Sequence, residues 1–119
     1  MLNYERVDHE ADPYSVANTI ALNALVARAK SKGELLAHLK KRGVEDDVAN
    51  ATVFRLQEKG LINDSEFAKA WTQSRHTSKK LSKRIIASEL RTRGVDQQSI
   101  DEALDEIHDE SEYLSLIQI

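Results

Sequence analysis

Five cations fall between positions 75 and 84, namely Arg75, Lys79, Lys80, Lys83 and Arg84, with His76 among them and no acid. Such a run does no covalent chemistry. What it offers is electrostatic attraction to an anionic macromolecular surface. Two smaller clusters, Lys40-Lys41-Arg42 and Arg91/Arg93, add to it. For these, a local role competes, because cations in the last turn of a helix complement its negative end. The remaining reactive side chains do not assemble. His9, His38, His76 and His108 stand apart, and their only neighbours at ligand spacing are acids, such as Glu34 before His38. The carboxylate pairs Asp46-Asp47 and Asp105-Glu106 fall at a helix start and on an acidic outer face. Neither a P-loop nor a dinucleotide-binding glycine pattern is present. Phe67 and Trp71, four residues apart, have the spacing of a base-stacking platform, but their place in an apolar stripe favours core packing. No catalytic residue, metal site or cofactor is expected, and a binding role is.

Composition narrows the setting. Of 119 residues, 31% are charged and 40% hydrophobic, with four glycines, one proline and no cysteine. The absence of cysteine excludes disulfides and thiolate metal sites. The scarcity of turn formers, with much Ala, Leu, Lys, Arg, Glu and Gln, points to helix. No apolar run approaches the roughly 20 residues that cross a bilayer. The first residues, MLNYERVDHEADP, lack the basic and apolar regions of a secretory signal. A cytoplasmic, all-α protein is the expectation. The net charge of −3 conceals a segregation: residues 28–93 carry 16 Lys and Arg against 8 acids, and residues 94–119 carry 8 acids and no Lys or Arg. A basic middle beside an acidic end suits a macromolecular partner.

The helices that must position these charges announce themselves by their ends. Asp12-Pro13 is an N-cap followed by proline at the first helical position, and the helix it opens runs to about Ala29. Ala17, Ile20, Ala21 and Ala24 share one face, with Leu22, Leu25 and Val26 widening the apolar surface. Ser31 and Glu34 form a capping box. Leu35, Leu36 and Leu39 face inward, and Gly43-Val44 ends the helix. Acids at 45–47 open a helix with Val48, Thr52, Val53 and Leu56 inside, stopped by Gly60-Leu61. Asn63 to Glu66 opens another, with Phe67, Ala68 and Trp71 as its apolar groups and an end near Ser78. Leu81, Ile85, Ile86 and Leu90 supply the next inner face. Asp96 caps a helix lined by Ile100, Ala103, Leu104 and Ile107. Residues 109–119, ending LSLIQI, read as the start of a further helix.

The chain repeats itself. SKGELLAHLKKRGV at 31–44 returns as SKRIIASELRTRGV at 82–95, without a gap, at an offset of 51 residues. Gly43 and Gly60 lie 17 apart and Gly94 twice 17 further on, so 51 residues are three helices with their turns. The expected organisation is a flexible arm over 1–11, a helix over 12–30, a three-helix repeat over 31–80, and a second, incomplete repeat over 81–119. Tandem repeats of this kind stack into an elongated, curved array.

Three stretches together carry a resemblance: Glu34-Leu35 through Val44, Leu56 through Ala68 with its Gly-Leu-Ile-Asn-Asp-Ser-Glu-Phe-Ala core, and Glu89-Leu90 through Leu104. In their order and spacing they resemble the RecX family of RecA regulators, over roughly residues 28–108. The resemblance implies a non-enzymatic regulator that binds RecA, typically in the groove of its filament on single-stranded DNA, and inhibits filament extension, ATP hydrolysis and strand exchange in DNA repair and recombination. The charge pattern supplies the candidate contacts, Arg75, Lys79, Lys80, Lys83, Arg84, Arg91 and Arg93, with Lys40, Lys41 and Arg42 on the equivalent helix. Two departures stand out. The glycine usual in the family near Lys79–Lys83 is replaced by Ser, Lys and Leu, and the further three-helix repeat common at the family's C-terminus is not reached. Two other readings compete: a helix-turn-helix-like DNA-binding module with its recognition helix in 82–93, and a helical scaffold that associates through the LSLIQI end. No helix combines Arg with Asn or Gln in positions suited to base edges, and the acidic last third would be repelled by duplex.

Overall fold

The computed structural model describes residues 12–107, and every regular element among them is a helix: α1 (Pro13–Ala27), α2 (Lys32–Lys41), α3 (Asp46–Glu58), α4 (Asp64–Lys79), α5 (Lys83–Thr92) and α6 (Gln97–Asp105). The arm expected over 1–11 and the helix expected over 109–119 lie outside the described residues.

Five of the six helices begin where the N-cap side chain accepts a free backbone N–H, α3 after Glu45 being the exception. Asp12 Oδ1 accepts from the Tyr14 amide at 3.2 Å, Asn63 Oδ1 from Glu66 at 3.1 Å, and Asp96 Oδ1 from Ser99 at 2.8 Å. The Ser31 capping box is complete, with Oγ accepting from the Glu34 amide at 3.0 Å and Glu34 Oε1 from the Ser31 amide at 3.2 Å. Gly43 and Gly94 close α2 and α5 at φ +89° and +80°, a left-handed turn that side-chain-bearing residues resist. There the Val44 amide donates to Leu39 O and the Val95 amide to Leu90 O, each at 3.0 Å. These paired bonds are the Schellman arrangement. Helix starts recur at the expected offset: Pro13 and Asp64, Lys32 and Lys83, Asp46 and Gln97 are each 51 apart.

The chain divides between Ile62 and Asn63. In the first unit α1, α2 and α3 enclose a core of Ala17, Ala21, Ala24, Leu35, Leu39, Val48, Ala49, Val53, Leu56 and Ile62. In the second, α4, α5 and α6 enclose Ala68, Ile86, Ala87, Leu90, Val95, Ile100, Ala103 and Ile107, with Phe67, Trp71, Leu81 and Leu104 packed against it. The three-helix period therefore holds, while its phase lies one helix earlier than a repeat starting at Ser31. Periodicity fixes a spacing and leaves the starting point open. Which helices share a core decides the grouping, and α1 packs on α2 and α3 as α4 does on α5 and α6.

Burial differs from expectation at three apolar positions. Leu22, Val26 and Ile85 are exposed, Val26 by 86%. Ile85 occupies the N3 position of α5, where the repeat's first copy has Glu34, so its direction is outward. Thr52 donates its hydroxyl to Val48 O at 2.8 Å, whereas the buried Thr72 hydroxyl has no hydrogen-bond partner among the described residues.

Most of the basic stretch is helical, in keeping with the expected end near Ser78. α4 runs on to Lys79, so Arg75 to Lys79 are helical and only Lys80, Leu81 and Ser82 separate α4 from α5. The turn is made by Lys80 itself, at φ +56° and ψ +37°. A lysine thus takes the left-handed position that glycine favours. Lys80→Gly is expected to raise stability by about 0.5–1 kcal/mol, the relief of the Cβ clash being partly offset by greater unfolded-chain entropy. Urea denaturation would show it as a higher midpoint at unchanged slope.

Candidate functional site

The most organised polar cluster in the second unit surrounds Trp71, midway along α4. Its ring stacks on Phe67 one turn earlier, with centroids 6.2 Å apart and planes 12° apart. The indole Nε1–H donates to Glu89 Oε1 of α5 at 3.0 Å. Arg75 donates through Nε to Oε1 of the same carboxylate at 2.9 Å and through an η nitrogen to Oε2 at 2.6 Å, a bidentate pair. Two guanidinium groups lie over the indole face, Arg93 at 4.1 Å and Arg75 at 5.4 Å from the ring centroid, within cation–π range. The Arg75 hydrogen bonds, helped by that of Trp71, hold the Glu89 carboxyl below the usual carboxylate range against the opposing effect of burial. The Arg75 guanidinium is raised in turn.

Two candidate contact residues, Arg75 and Arg93, are therefore brought together, and what they meet is the protein's own tryptophan. Glu89 was not singled out from the sequence. Its contacts with Trp71 and Arg75 span 18 and 14 residues, separations at which no helical periodicity signals a pair. Phe67 and Trp71 pack against the core, and neither is fully buried.

The other candidates occupy four helix ends. Lys79 ends α4, exposed Lys80 caps it, and half-buried Lys83 and exposed Arg84 begin α5. Arg91, in the last turn of α5, donates from Nε to Gln97 Oε1 at 3.1 Å. Lys40 and Lys41 end α2 with Arg42 as the cap, and Lys40 forms an exposed pair with Asp46 at 3.6 Å. Cations at the ends of α2, α4 and α5 match the helix dipoles, so their positions have a structural cause. Lys83 and Arg84 do not match: they lie in the first turn of α5, which contains no acid, at the end where the dipole disfavours positive charge.

The first unit places different groups at the positions equivalent to the Trp71 cluster. Ile20 stands where Trp71 does, Val16 for Phe67, Ala24 for Arg75 and His38 for Glu89, while Arg42 repeats Arg93. A groove of about 360 Å³ opens here, lined by Pro13, Val16, Ile20, Arg42, Gly43, Val44, Glu45 and Val48. His38, half-buried on α2, has its pKa lowered by burial and by Lys30, Arg42 and Lys41. Among the described residues no group of three His, Cys, Asp or Glu is placed to hold a metal ion, and no helix is long and apolar enough to cross a membrane.

Comparison with known proteins addresses the whole arrangement. Two family models match in order, "RecX, first three-helix domain" over residues 17–56 and "RecX, second three-helix domain" over residues 63–104. The chain belongs to the RecX family. The regulatory protein RecX of Streptomyces coelicolor is 37% identical over 108 residues, which is 91% of this chain and 57% of that protein. RecX of Mycolicibacterium vanbaalenii is 46% identical over 88 residues, 74% of this chain and 48% of the relative. The chain spans about half the length of these curated relatives. The crystal structure of RecX from Lactobacillus salivarius shares the fold, with a TM-score of 0.79 at 22% identity over 91% of this chain and 72% of that one. The matched segments fall inside the two units on either side of Ile62, so the family's three-helix domains and the structural division share one phase.

Proposed function

We propose that this RecX-family chain binds RecA, or the RecA–single-stranded-DNA filament, and restrains its ATP hydrolysis and strand exchange. The observation that carries the reading is the basic turn between α4 and α5. Lys79, Lys80, Lys83 and Arg84 concentrate there, and Arg84 is exposed in a first turn that contains no acid. Such a concentration of positive charge on one turn suits an external anionic surface, either acidic protein or phosphate. Family membership and the regulatory names of the relatives support the same role. Arg91 and Lys40, Lys41 and Arg42 are secondary candidates, and Arg75 and Arg93 act chiefly by fixing Trp71.

The test is the single-stranded-DNA-dependent ATPase of RecA with and without this chain. Inhibition is expected and should weaken as salt rises, because the contact is electrostatic. A K79E/K80E/K83E/R84E variant, its helicity checked by circular dichroism, should need about tenfold more protein for equal inhibition, equivalent to a loss of about 1.4 kcal/mol. A folded variant that inhibits like the parent would remove the turn as the contact surface. An unchanged ATPase combined with tight, salt-sensitive binding to duplex alone would replace the reading with that of a DNA-binding module.

A further inference from the structure

The two helices flanking the basic turn are joined by one charged rung, which is not repeated nearer the turn. Arg75 of α4 and Glu89 of α5 pair at 2.6 Å. Four residues closer to the connection on each helix, and so on the same faces, stand Lys79 and Ile85. No carboxylate answers Lys79 there. Ile85 is 45% exposed, in a first turn that also holds Lys83 and exposed Arg84. The first unit is built differently at the matching point. There Glu34, the N3 residue of α2 as Ile85 is of α5, takes Arg28 through both oxygens at 3.2 and 3.3 Å. That turn is closed by its own acid. The second leaves Lys79, Lys80 and Arg84 without a salt bridge among the described residues, and puts an exposed aliphatic side chain next to Arg84.

We propose that this surface takes an acidic protein segment in which an aliphatic residue stands between carboxylates, with Ile85 selecting it over nucleic-acid phosphate. The assignment rests on the turn being the contact surface and holds whether or not the partner is RecA. The cations suit carboxylate and phosphate alike. Ile85 does not. Phosphate is held by cations and hydrogen-bond donors, and gains nothing from an aliphatic group that strips its water. A protein interface instead has an apolar centre ringed by polar groups, which is the pattern of Ile85 with Arg84, Lys80 and Lys79. Single-stranded nucleic acid would seek an aromatic platform for its bases. The two rings of this unit, Phe67 and Trp71, are stacked on each other and packed against the core.

Two peptides of equal charge make the test, acetyl-Gly-Glu-Glu-Leu-Glu-Glu-Gly-amide and the same with Ser for Leu. Each is titrated into the isotope-labelled full chain, and the amide shifts of Lys80, Leu81, Arg84 and Ile85 report binding. The Leu peptide is expected to bind about fivefold more tightly, from burial of the two aliphatic groups against each other. Ile85→Gln alters no charge at an exposed position, and should remove that preference while leaving affinity for an oligothymidylate unchanged. In the RecA ATPase assay the same variant should need about fivefold more protein for equal inhibition, at the parent's salt dependence. Equal binding of the two peptides, or no saturation by either, would overturn the proposal, as would an Ile85→Gln chain that keeps the preference. A variant that loses oligothymidylate binding in step with the peptide would overturn it in favour of nucleic acid. Failure of the RecA reading looks different: the parent leaves the ATPase unchanged while the Leu peptide keeps its advantage. Conversely, inhibition weakened by the four-charge substitution and untouched by Ile85→Gln would keep the turn as the contact and overturn the role of Ile85. The peptide pair on the parent chain decides the matter without any variant.

Discussion

Leu90→Ala is expected to lower the stability of the second unit by about 3 kcal/mol, the middle of the range for a fully buried leucine. Leu90 is inaccessible to solvent and packs at the centre of the core formed by α4, α5 and α6. Its carbonyl also receives the Val95 amide that closes α5. Truncation removes the isopropyl group, a methine and two methyls, and leaves a cavity that the flanking helices fill poorly. Trp71 is the only tryptophan in the chain and belongs to this core, so its fluorescence follows the unit's unfolding. The urea midpoint should fall with little change in slope. A loss below about 1 kcal/mol would mean that the core collapses around the site instead of retaining a void.

Glu89→Gln should cost about 1–2 kcal/mol at neutral pH, since a charge-assisted pair is reduced to a neutral one and Glu89 serves two elements at once. The carboxylate is 24% exposed and bonded to Arg75 and Trp71. The pH dependence has a definite sign. The Glu89 pKa is lower in the folded chain than in the unfolded one, where it lies at about 4.3. The unfolded state therefore takes up the proton first. The stabilisation is fully present above about pH 4.3 and is lost as pH falls through the folded value. Denaturation followed from pH 6 down to pH 3 should show the parent losing its advantage over Glu89→Gln, the two curves converging at the acid end. Parallel curves would show that the pair contributes no linkage. Trp71 emission should also change in the variant, because its N–H partner and the anchor of Arg75 are altered together.

These two residues mark the boundary of what the sequence discloses. Leu90 is readable in the primary structure, since it repeats Leu39 in a duplicated motif whose serine starts and glycine stops state where each helix lies. The same signals yielded six helix positions and most of the core, including Ile100, Ala103 and Ile107. They work because caps and amphipathic stripes are local, each written within four or so residues. Glu89 is the opposite case. Its partners lie 14 and 18 positions away on another helix, and nothing in α5 alone distinguishes it from a solvated glutamate. Arg75 reads as an open contact in the sequence for the same reason, its partner being Glu89 on the next helix. At Ile85, Leu22 and Val26 apolar identity does not give inward direction, and all three are exposed. The grouping of helices shifted because a repeat detected from its most similar segment starts at that segment rather than at a domain edge. The groove of the first unit has no sequence signature, since it is bordered by Val16 and Ile20, side chains smaller than Phe67 and Trp71 at the matching positions of the second.

The duplicated caps have a consequence for how such a chain can change over generations. Ser31 and Ser82, Gly43 and Gly94, and Val44 and Val95 hold the two scaffolds to one geometry. Positions 16, 20, 24 and 38, together with 67, 71, 75 and 89, have meanwhile drifted into different chemistry. The residues that say how to fold and those that say what to touch are thus separate sets. One copy can acquire a new specificity by point substitution on a single face while the other keeps its own contacts. Duplication followed by divergence has here become an internal property of one small polypeptide.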